Sequence, residues 1–245
     1  MKVGLFIPCY IDQFYPQVGQ ATLSLLTKLG CEVVFPTDQT CCGQPMANSG
    51  FAALSGACDQ NFVRNFSGCA YIVGPSGSCV LHVKEHLKDE KQPEAAAHIR
   101  SHIYELTEFI LDILKTEAIQ AFFPYKVGLH NSCHGQRGLG LSSLSERVLP
   151  VFSKPERLLG KVKGIQLFKP LRNDECCGFG GTFSVFEEAV SVKMGKDRIA
   201  RHEANGVDVI TGVDMSCLMH LEGILKRQGS RTRVMHIAEI LNAEA

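Results

Sequence analysis

Short apolar runs alternate with longer amphipathic stretches along the chain. Residues 3–7 form the first apolar run, and residues 17–30 then carry apolar side chains at helical spacing as far as Gly30. The β-branched residues of 31–36, which end at Pro36, predict a second strand. Strands that alternate with helices predict an α/β fold with a parallel sheet.

The same alternation continues to the end of the chain. Apolar runs at 70–74, 127–129 and 207–211 predict buried strands. Amphipathic or helical stretches are expected, in chain order, at about 50–67, 78–88, 183–205 and 216–227. Each predicted strand is thus followed by a predicted helix, which is the pattern of Rossmann-like units.

Four sequence segments occur twice, in the same order. The pairs are KVGLFIPC and KVGLHNSC, QTCCGQP and DECCGFGG, AYIVGPSGSCVLHV and VDVITGVDMSCLMHL, and IYELTEFIL and RVMHIAEIL. Such an ordered repeat indicates a duplicated unit. We therefore expect two Rossmann-like halves related by an approximate two-fold, residues 1–122 and 123–245, with the boundary close to Pro124.

The composition is that of an ordinary globular protein, with 45% hydrophobic residues, 20% charged residues and no net charge at pH 7. The absence of net charge argues against a protein surface that binds nucleic acid or anionic membranes, because such surfaces are positively charged. No run of about 18 apolar residues is present, so no membrane span is expected. Residues 1–11 have a counterpart at 125–135, which makes them structure rather than a signal peptide.

Eleven cysteines among 245 residues are the unusual feature of the composition. The chain is too long for a disulfide miniprotein, and we expect a cytoplasmic location, where grouped cysteines bind metal more often than they pair. The carboxyl ends of parallel strands meet at one edge of a sheet, so each half is expected to gather four thiols. The candidate ligands are Cys9, Cys41, Cys42 and Cys79 in the first half and Cys133, Cys176, Cys177 and Cys217 in the second.

Four thiolates from separate loops suit an iron–sulfur cluster or a tetrahedral zinc ion. Structural zinc sites usually use cysteine pairs with two or more residues between them, whereas each pair here is adjacent and followed by glycine, Gly43 or Gly178. This pattern favours an iron–sulfur cluster in at least one half. Zinc in one or both halves and redox-active disulfides stay open as alternatives.

Other residues near the repeated cysteines are weaker candidates. Histidine ligands are conceivable at three positions close to the cysteines, although polar loop roles are expected there: His130, His134 and His220. Ser76 and Asp214 each precede a cysteine by three residues and offer oxygen ligands. Three cysteines without a counterpart in the repeat are expected to be small buried apolar residues: Cys31, Cys58 and Cys69.

At these residues the chain resembles the cysteine-rich, or CCG, domain family. That family has a cysteine, a C-C-G and a C-x-x-C in order, present twice. It includes the cysteine-rich subunit of heterodisulfide reductase and the iron–sulfur subunit of glycolate oxidase, and within it the chain is similar to the lactate utilisation protein A group. The segments that carry the likeness are TCCGQP, GPSGSC, YELTEF, CCGFGGTFSV and HIAEIL.

The resemblance implies a cytoplasmic electron-transfer subunit of a bacterial complex that oxidises L-lactate to pyruvate. Two partner proteins are implied, a ferredoxin-like B protein and a C protein. The heterodisulfide reductase subunit uses five cysteines per half for a non-cubane cluster. Here Ser76 and Asp214 stand where the first cysteine of each C-x-x-C would be, so two [4Fe–4S] clusters on the eight repeated cysteines are the simpler expectation.

Two further functions remain open at the level of sequence. A cluster with an exposed iron site would make the protein a disulfide or quinone reductase. Zinc without iron would make it a non-redox scaffold subunit that only assembles partners. No G-x-G-x-x-G lies between a predicted strand and helix, so a flavin or nicotinamide cofactor is not expected.

Overall fold

Two parallel sheets form the framework of the protein. The structure, a computed structural model, describes residues 1–148 and 150–244; Ala245, the last residue of the expected second repeat, lies outside them. The first sheet contains β1 (Lys2–Leu5), β2 (Glu32–Val34), β3 (Ile72–Gly74) and β4 (Ile103–Glu105), and the second contains β5 (Lys126–His130), β6 (Gln166–Phe168), β7 (Val209–Gly212) and β8 (Arg233–His236).

The two sheets have the same strand order. It is β2-β1-β3-β4 in the first sheet and β6-β5-β7-β8 in the second, with every pairing parallel. Equivalent glycines have equivalent partners, since Gly4 of β1 pairs with Ile72 and Gly128 of β5 pairs with Ile210. The expected α/β fold of two similar halves is confirmed.

Helices cover both sheets. In the first half they are α1 (Cys9–Phe14), α2 (Pro16–Lys28), α3 (Gln44–Asn48), α4 (Gly56–Phe66), α5 (Gly77–His86), α6 (Pro93–His102) and α7 (Leu106–Glu108). In the second half they are α8 (Lys154–Leu159), α9 (Phe183–Phe186), α10 (Glu188–Glu203), α11 (Met215–Gln228) and α12 (Ile237–Leu241). The predicted helices at about 78–88 and 216–227 correspond to α5 and α11. Among the described residues, no helix is both long and apolar enough to cross a membrane.

Sequence patterns missed three of the described strands. Strands β4, β6 and β8 have three or four residues each and, unlike the equally short β2 and β3, lie outside the apolar runs from which strands were predicted. Strands β4 and β8 also pass directly into helices, at Glu105 and His236, whose side chains accept backbone N–H groups in capping boxes. The fourth repeated segment pair, IYELTEFIL and RVMHIAEIL, therefore corresponds to these two capped strand-to-helix junctions.

The apolar cores of the two halves are continuous. Strands β3 and β7 are completely buried, as expected for central strands covered on both faces. Helix α2 of the first half packs against α12 of the second, so that Leu26 and Ile240 belong to one apolar cluster. A second cluster lies within the first half alone and is built around Phe6, Phe62 and Phe66.

We expect Gly128→Ala to destabilise the fold by about 1–3 kcal/mol, the range for overpacking a core. A Cβ at Gly128 would lie 2.3 Å from Nδ1 of His202 and 3.3 Å from Val207, both of which are buried. Denaturant unfolding of the metal-free protein measures the loss.

Gly223→Ala is the matched control, because the same methyl group is added where nothing lies within 4 Å. This glycine is in α11, where alanine is the better helix former, so a gain of about 0.5–1 kcal/mol is expected. Equal effects of the two substitutions would contradict the packing described at Gly128.

Candidate metal centres

The four repeated cysteines of the first half lie at the carboxyl ends of three neighbouring strands. Cys9 begins α1 just after β1, and Cys41 and Cys42 lie in the loop that follows β2. Cys79 lies in the first turn of α5, after β3. The strand order places β1 between β2 and β3, so the three loops meet at one edge of the sheet.

The second half repeats this arrangement. Cys133 follows β5 at the start of a π-helical turn at His134–Gly138, and Cys176 and Cys177 follow β6. Cys217 lies in the first turn of α11, after β7. The eight cysteines predicted from the repeat therefore occupy equivalent positions in the two halves.

Both cysteine groups face one cavity of about 570 Å³. Seven of the eight repeated cysteines line it: Cys9, Cys42, Cys79, Cys133, Cys176, Cys177 and Cys217. Tyr10 of the first half and Phe179 of the second also line it, with their rings edge to face and their centroids 6.3 Å apart. The halves thus share one thiol-lined cavity rather than enclosing two separate ones.

The thiols within each half interact with one another. In the first half the Sγ atoms of Cys9 and Cys41 are 3.7 Å apart. Hydrogen bonds from Cys42 and Cys9 hold the pKa of Cys41 well below its usual range. The same hydrogen bond, with burial, raises the pKa of Cys9. One thiol of the group is thereby favoured as a thiolate, the form that binds metals.

The second group behaves in the same way and receives backbone donors. The pKa of Cys176 is lowered by hydrogen bonds from Cys133 and Cys177. The N–H groups of Gly178 and Phe179 donate to Cys176 Sγ and Cys177 Sγ, at 3.3 and 3.5 Å. In the first half, Gly43 N donates to Cys41 Sγ at 3.4 Å. Such amide donors stabilise anionic sulfur.

The glycine after each cysteine pair makes the turn possible. Gly43 has φ +88° and Gly178 has φ +91°, a backbone conformation that residues with a Cβ rarely adopt. A Cβ at Gly178 would also lie 2.6 Å from the carbonyl oxygen of Ser191 in α10. The C-C-G motif therefore lets the backbone turn sharply against a helix, so that its amide points back to sulfur.

The donor atoms form an open arrangement. Ligands of one tetrahedral zinc ion lie about 3.8 Å apart, given a metal–sulfur bond of about 2.3 Å. In the described part of the chain, one group of three donors lies mutually within 4.8 Å, namely His130, Cys177 and Cys217. No three of the described first-half thiols lie mutually within 4.8 Å, and Cys9, Cys42 and Cys79 line a roomy cavity, which fits a larger sulfur-bound group better than a single ion.

Ser76 and Asp214 are helix N-caps that also join the halves. Ser76 accepts from Cys79 N at 3.4 Å, and Asp214 Oδ1 accepts from Ser216 N at 3.1 Å. Asp214 Oδ2 accepts from Ser78 N of the other half at 2.6 Å, and Gly77 N donates to Val213 O at 3.0 Å. Their oxygens thus satisfy backbone donors beside the cysteines, as N-cap side chains do, a role that was not predicted for them from the sequence.

The remaining candidates have varied surroundings. His134 is exposed at the cavity, whereas His220 is half-buried with Nε2 3.3 Å from Ser191 O. Of the unrepeated cysteines, Cys31 is buried as expected, but Cys58 and Cys69 are only half-buried. The expectation of three buried apolar residues was wrong for those two. Cys58 packs near the Gly43 turn, because α4 lies against the C-C-G loop there.

One buried residue was missed entirely. Arg198 of α10 is fully buried, and its Nε donates to Nδ1 of His130 at 3.0 Å. In the sequence it lies in GKDRIARHE, which has the charged composition of a solvent-exposed helix face. No local signal marks it, because its burial depends on the packing of α10 against the sheet.

The comparisons with known proteins agree on a family. A model of the cysteine-rich domain, CCG, matches residues 3–84 and 127–222. Lactate utilization protein A of Geobacillus sp. (strain WCH70) is 43% identical over 248 residues, which cover 99% of this chain and 100% of that protein. Lactate utilization protein A of Bacillus subtilis (strain 168) is 41% identical over 247 residues, with 99% and 100% covered.

A solved structure has a similar fold. A hypothetical protein from Helicobacter pylori superposes with a TM-score of 0.61 at 12% identity. The match covers 98% of this chain, and this chain spans 48% of the length of that one. At this identity the likeness concerns the fold alone.

We expect Asp214→Ala to destabilise the metal-free protein by about 1–3 kcal/mol, since it removes an N-cap and leaves Ser78 N–H without its acceptor. Asp214→Asn retains one oxygen for the cap and is expected to lose less. Ser76→Ala, whose lost hydrogen bond is 3.4 Å long, is expected to lose the least. Denaturant unfolding ranks the three variants.

The same variants test whether Asp214 is a metal ligand. If it serves only as a cap, Asp214→Asn keeps the metal content of the wild type after anaerobic purification. Loss of metal from Asp214→Asn at unchanged stability would instead assign the carboxylate to the metal.

Proposed function

Because the chain belongs to the cysteine-rich (CCG) domain family, we propose that it is an iron–sulfur electron-transfer subunit of a complex that oxidises L-lactate to pyruvate. The observation that carries the proposal is the pair of four-cysteine groups that face one cavity. The lactate part of the proposal is supported by the two relatives described above, which are named lactate utilization protein A.

The proposed ligands are the eight repeated cysteines. One centre would be held by Cys9, Cys41, Cys42 and Cys79, and the other by Cys133, Cys176, Cys177 and Cys217. The fit is supported by the all-sulfur donor sets and by backbone N–H groups directed at Cys41, Cys176 and Cys177. We also propose that residues 1–122 and 123–245 are the two duplicated units.

Two one-electron centres match the chemistry of the substrate. Oxidation of lactate to pyruvate releases two electrons and two protons, and a bound [4Fe–4S] cluster accepts or releases one electron. The chain's own residues would bind the clusters, donate N–H groups to sulfur and restrict access of water. Tyr10 and Phe179 are suited to the last task, because their rings meet across the cavity.

Partners and location complete the proposal. The lactate-oxidising complex would contain a ferredoxin-like B protein and a C protein, to which electrons pass. We propose a cytoplasmic location, because grouped cysteines stay reduced and available as metal ligands in a reducing compartment.

A specific observation supports a second candidate for the second half. His130, Cys177 and Cys217 have donor atoms within 4.8 Å of one another, close to the spacing that a zinc ion needs. In this alternative the first half holds a cluster and the second holds zinc. The metal content of the protein separates the two candidates.

We expect anaerobically purified protein to contain about eight iron and eight sulfide per chain, the content of two [4Fe–4S] clusters. Elemental analysis, sulfide assay and the visible spectrum measure this. About four iron with one zinc would support the second candidate. Zinc without iron, even after reconstitution, would overturn electron transfer.

Cysteine variants should remove iron from one half at a time. We expect Cys42→Ser to lose about half of the iron and Cys177→Ser to lose the other half, since each removes a buried ligand of one group. Cys69→Ser is the matched control, because Cys69 is half-buried and outside both groups.

The complex itself provides the functional readout. With the B and C proteins present, lactate should bleach the visible absorption of the loaded wild type and leave both single-half variants partly or wholly unreduced. Normal lactate-dependent reduction in a chain without iron would contradict the proposed role.

A further inference from the structure

The two halves differ at three equivalent buried positions. The repeat aligns Phe6 with His130, the last residue of KVGLF and of KVGLH. The helices align through matching contacts, since a Cβ at Gly4 would meet Phe66 and a Cβ at Gly128 would meet His202. One turn earlier on the same helices, the buried residues are Phe62 and Arg198. The trio Phe6, Phe62 and Phe66 thus corresponds to His130, Arg198 and His202.

The first-half trio is an apolar aromatic cluster. All three rings are at most 4% exposed, and their centroids lie 4.7–6.1 Å apart. Cys42 belongs to the same apolar cluster. These three side chains give the first cysteine group no hydrogen-bond donor and no charge. The buried titratable residue near Cys41 is His82, and burial lowers its pKa to about 4, so that it is neutral at pH 7.

The second-half trio carries a buried positive charge. Arg198 is 0% exposed, and its guanidinium is held by the carbonyl oxygens of Arg172, Leu129 and Asn173. Burial lowers the pKa of Arg198 to about 10, so it stays charged at neutral pH. Within residues 1–148 and 150–244 no carboxylate lies within ion-pair distance of it. Glu175 and Asp174 attract it from further away, but Glu175 pairs with Arg201 and Asp174 with Arg137, and Cys177 is the other anionic group that it faces.

His130 connects this charge to the sulfurs. One of its ring nitrogens lies within 4.8 Å of the donor atoms of Cys177 and Cys217. Nδ1 accepts from Arg198, so the proton of the neutral ring is on Nε2. Nε2 is buried and has no hydrogen-bond partner, sulfur included, among the described residues. It is therefore an unsatisfied N–H donor on a ring that lies beside Cys177 and Cys217, where the sulfur of a bound centre would give it an acceptor.

The hydrogen bond from Arg198 argues against His130 as a metal ligand. A histidine that binds a metal through Nε2 carries its proton on Nδ1 and donates it to an acceptor. Here Nδ1 faces an N–H of a guanidinium, which is only a donor. Ligation would set two donors against each other, whereas donation from Nε2 to sulfur satisfies both nitrogens.

We propose that Arg198 positions His130 to donate to sulfur, and that this pair raises the reduction potential of the second-half centre above that of the first-half centre. The inference rests on the proposed function. One electron from an external donor adds one negative charge among the thiolates, and no covalent bond of the chain forms or breaks. An N–H donor and a buried cation stabilise that charge, whereas three phenylalanines do not.

The test is a reductive titration of the loaded protein with dithionite, which is oxidised as it supplies single electrons, followed by electron paramagnetic resonance. The wild type should show two one-electron waves. Cys177→Ser should lose the wave at higher potential, which assigns that wave to the second half.

We expect His130→Phe to move only the higher wave, and to move it downward. The change makes the second half resemble the first, and loss of the donor should lower the reduced-to-oxidised ratio about tenfold at a given potential, or about 59 mV for one electron. His130→Gln, which retains an N–H donor, should shift the wave less. Phe6→Leu is the matched control, since it exchanges one apolar side chain for another, and should move neither wave.

Arg198→Met provides a second measurement that does not depend on the waves. Binding of the clusters should raise the melting temperature less in Arg198→Met than in the wild type, because the variant has no cation to offset the negative charge of the second-half cluster and its thiolates. Arg198→Lys keeps the charge and should restore part of that gain.

The outcomes separate the two proposals. If iron and sulfide assays show no clusters in the wild type, the proposed function fails. If both clusters load and His130→Phe shifts neither wave, or both equally, the proposed function stands and this inference is overturned. Loss of iron from the second half of both His130→Phe and His130→Gln would make His130 a ligand and would also overturn it.

Discussion

Two groups of four thiols beside a single cavity impose the main physical constraint on this protein. Thiolates repel one another in a partly buried site, and each needs a donor, a cation or a metal to offset its charge. Within each half, thiols donate hydrogen bonds to one central sulfur. The pKa of Cys41 and of Cys176 is thereby lowered, whereas the pKa values of Cys9, Cys42, Cys133 and Cys177 are raised. The C-C-G turns add amide donors, which only a glycine with positive φ can aim there.

The duplicated fold supplies the framework for this arrangement. In each half the central strand has a neighbour on either side, so three consecutive loops converge at one sheet edge. The edges of the two halves then face each other, held by the contacts of Gly77 and Ser78 with Val213 and Asp214. Because the caps of α5 and α11 form this junction, the same residues that orient Cys79 and Cys217 also fix the distance between the halves.

Much of this could be predicted from the sequence, because the informative features are local. A cysteine directly after an apolar run and a C-C-G motif can each be recognised from a few residues. The missed features depend on tertiary packing. Strand β6 lies outside any marked apolar run, and Arg198 has the local sequence of an exposed helix face. Cys58 was misjudged for the same reason, since its exposure depends on how α4 meets the Gly43 turn.

The two halves have the same strand order and the same cysteine positions, so the buried side chains in which they differ stand out. Two equal centres in one chain would share an electron equally and give it no direction. Replacing three buried phenylalanines by His130, Arg198 and His202 leaves the strand order, the thiols and the C-C-G turns in place, and changes only the polarity behind one group. A buried guanidinium that has no carboxylate within ion-pair distance is costly unless another anion offsets its charge. Glu175 supplies part of that offset although it also pairs with Arg201, and the anionic sulfurs of the second group supply the rest.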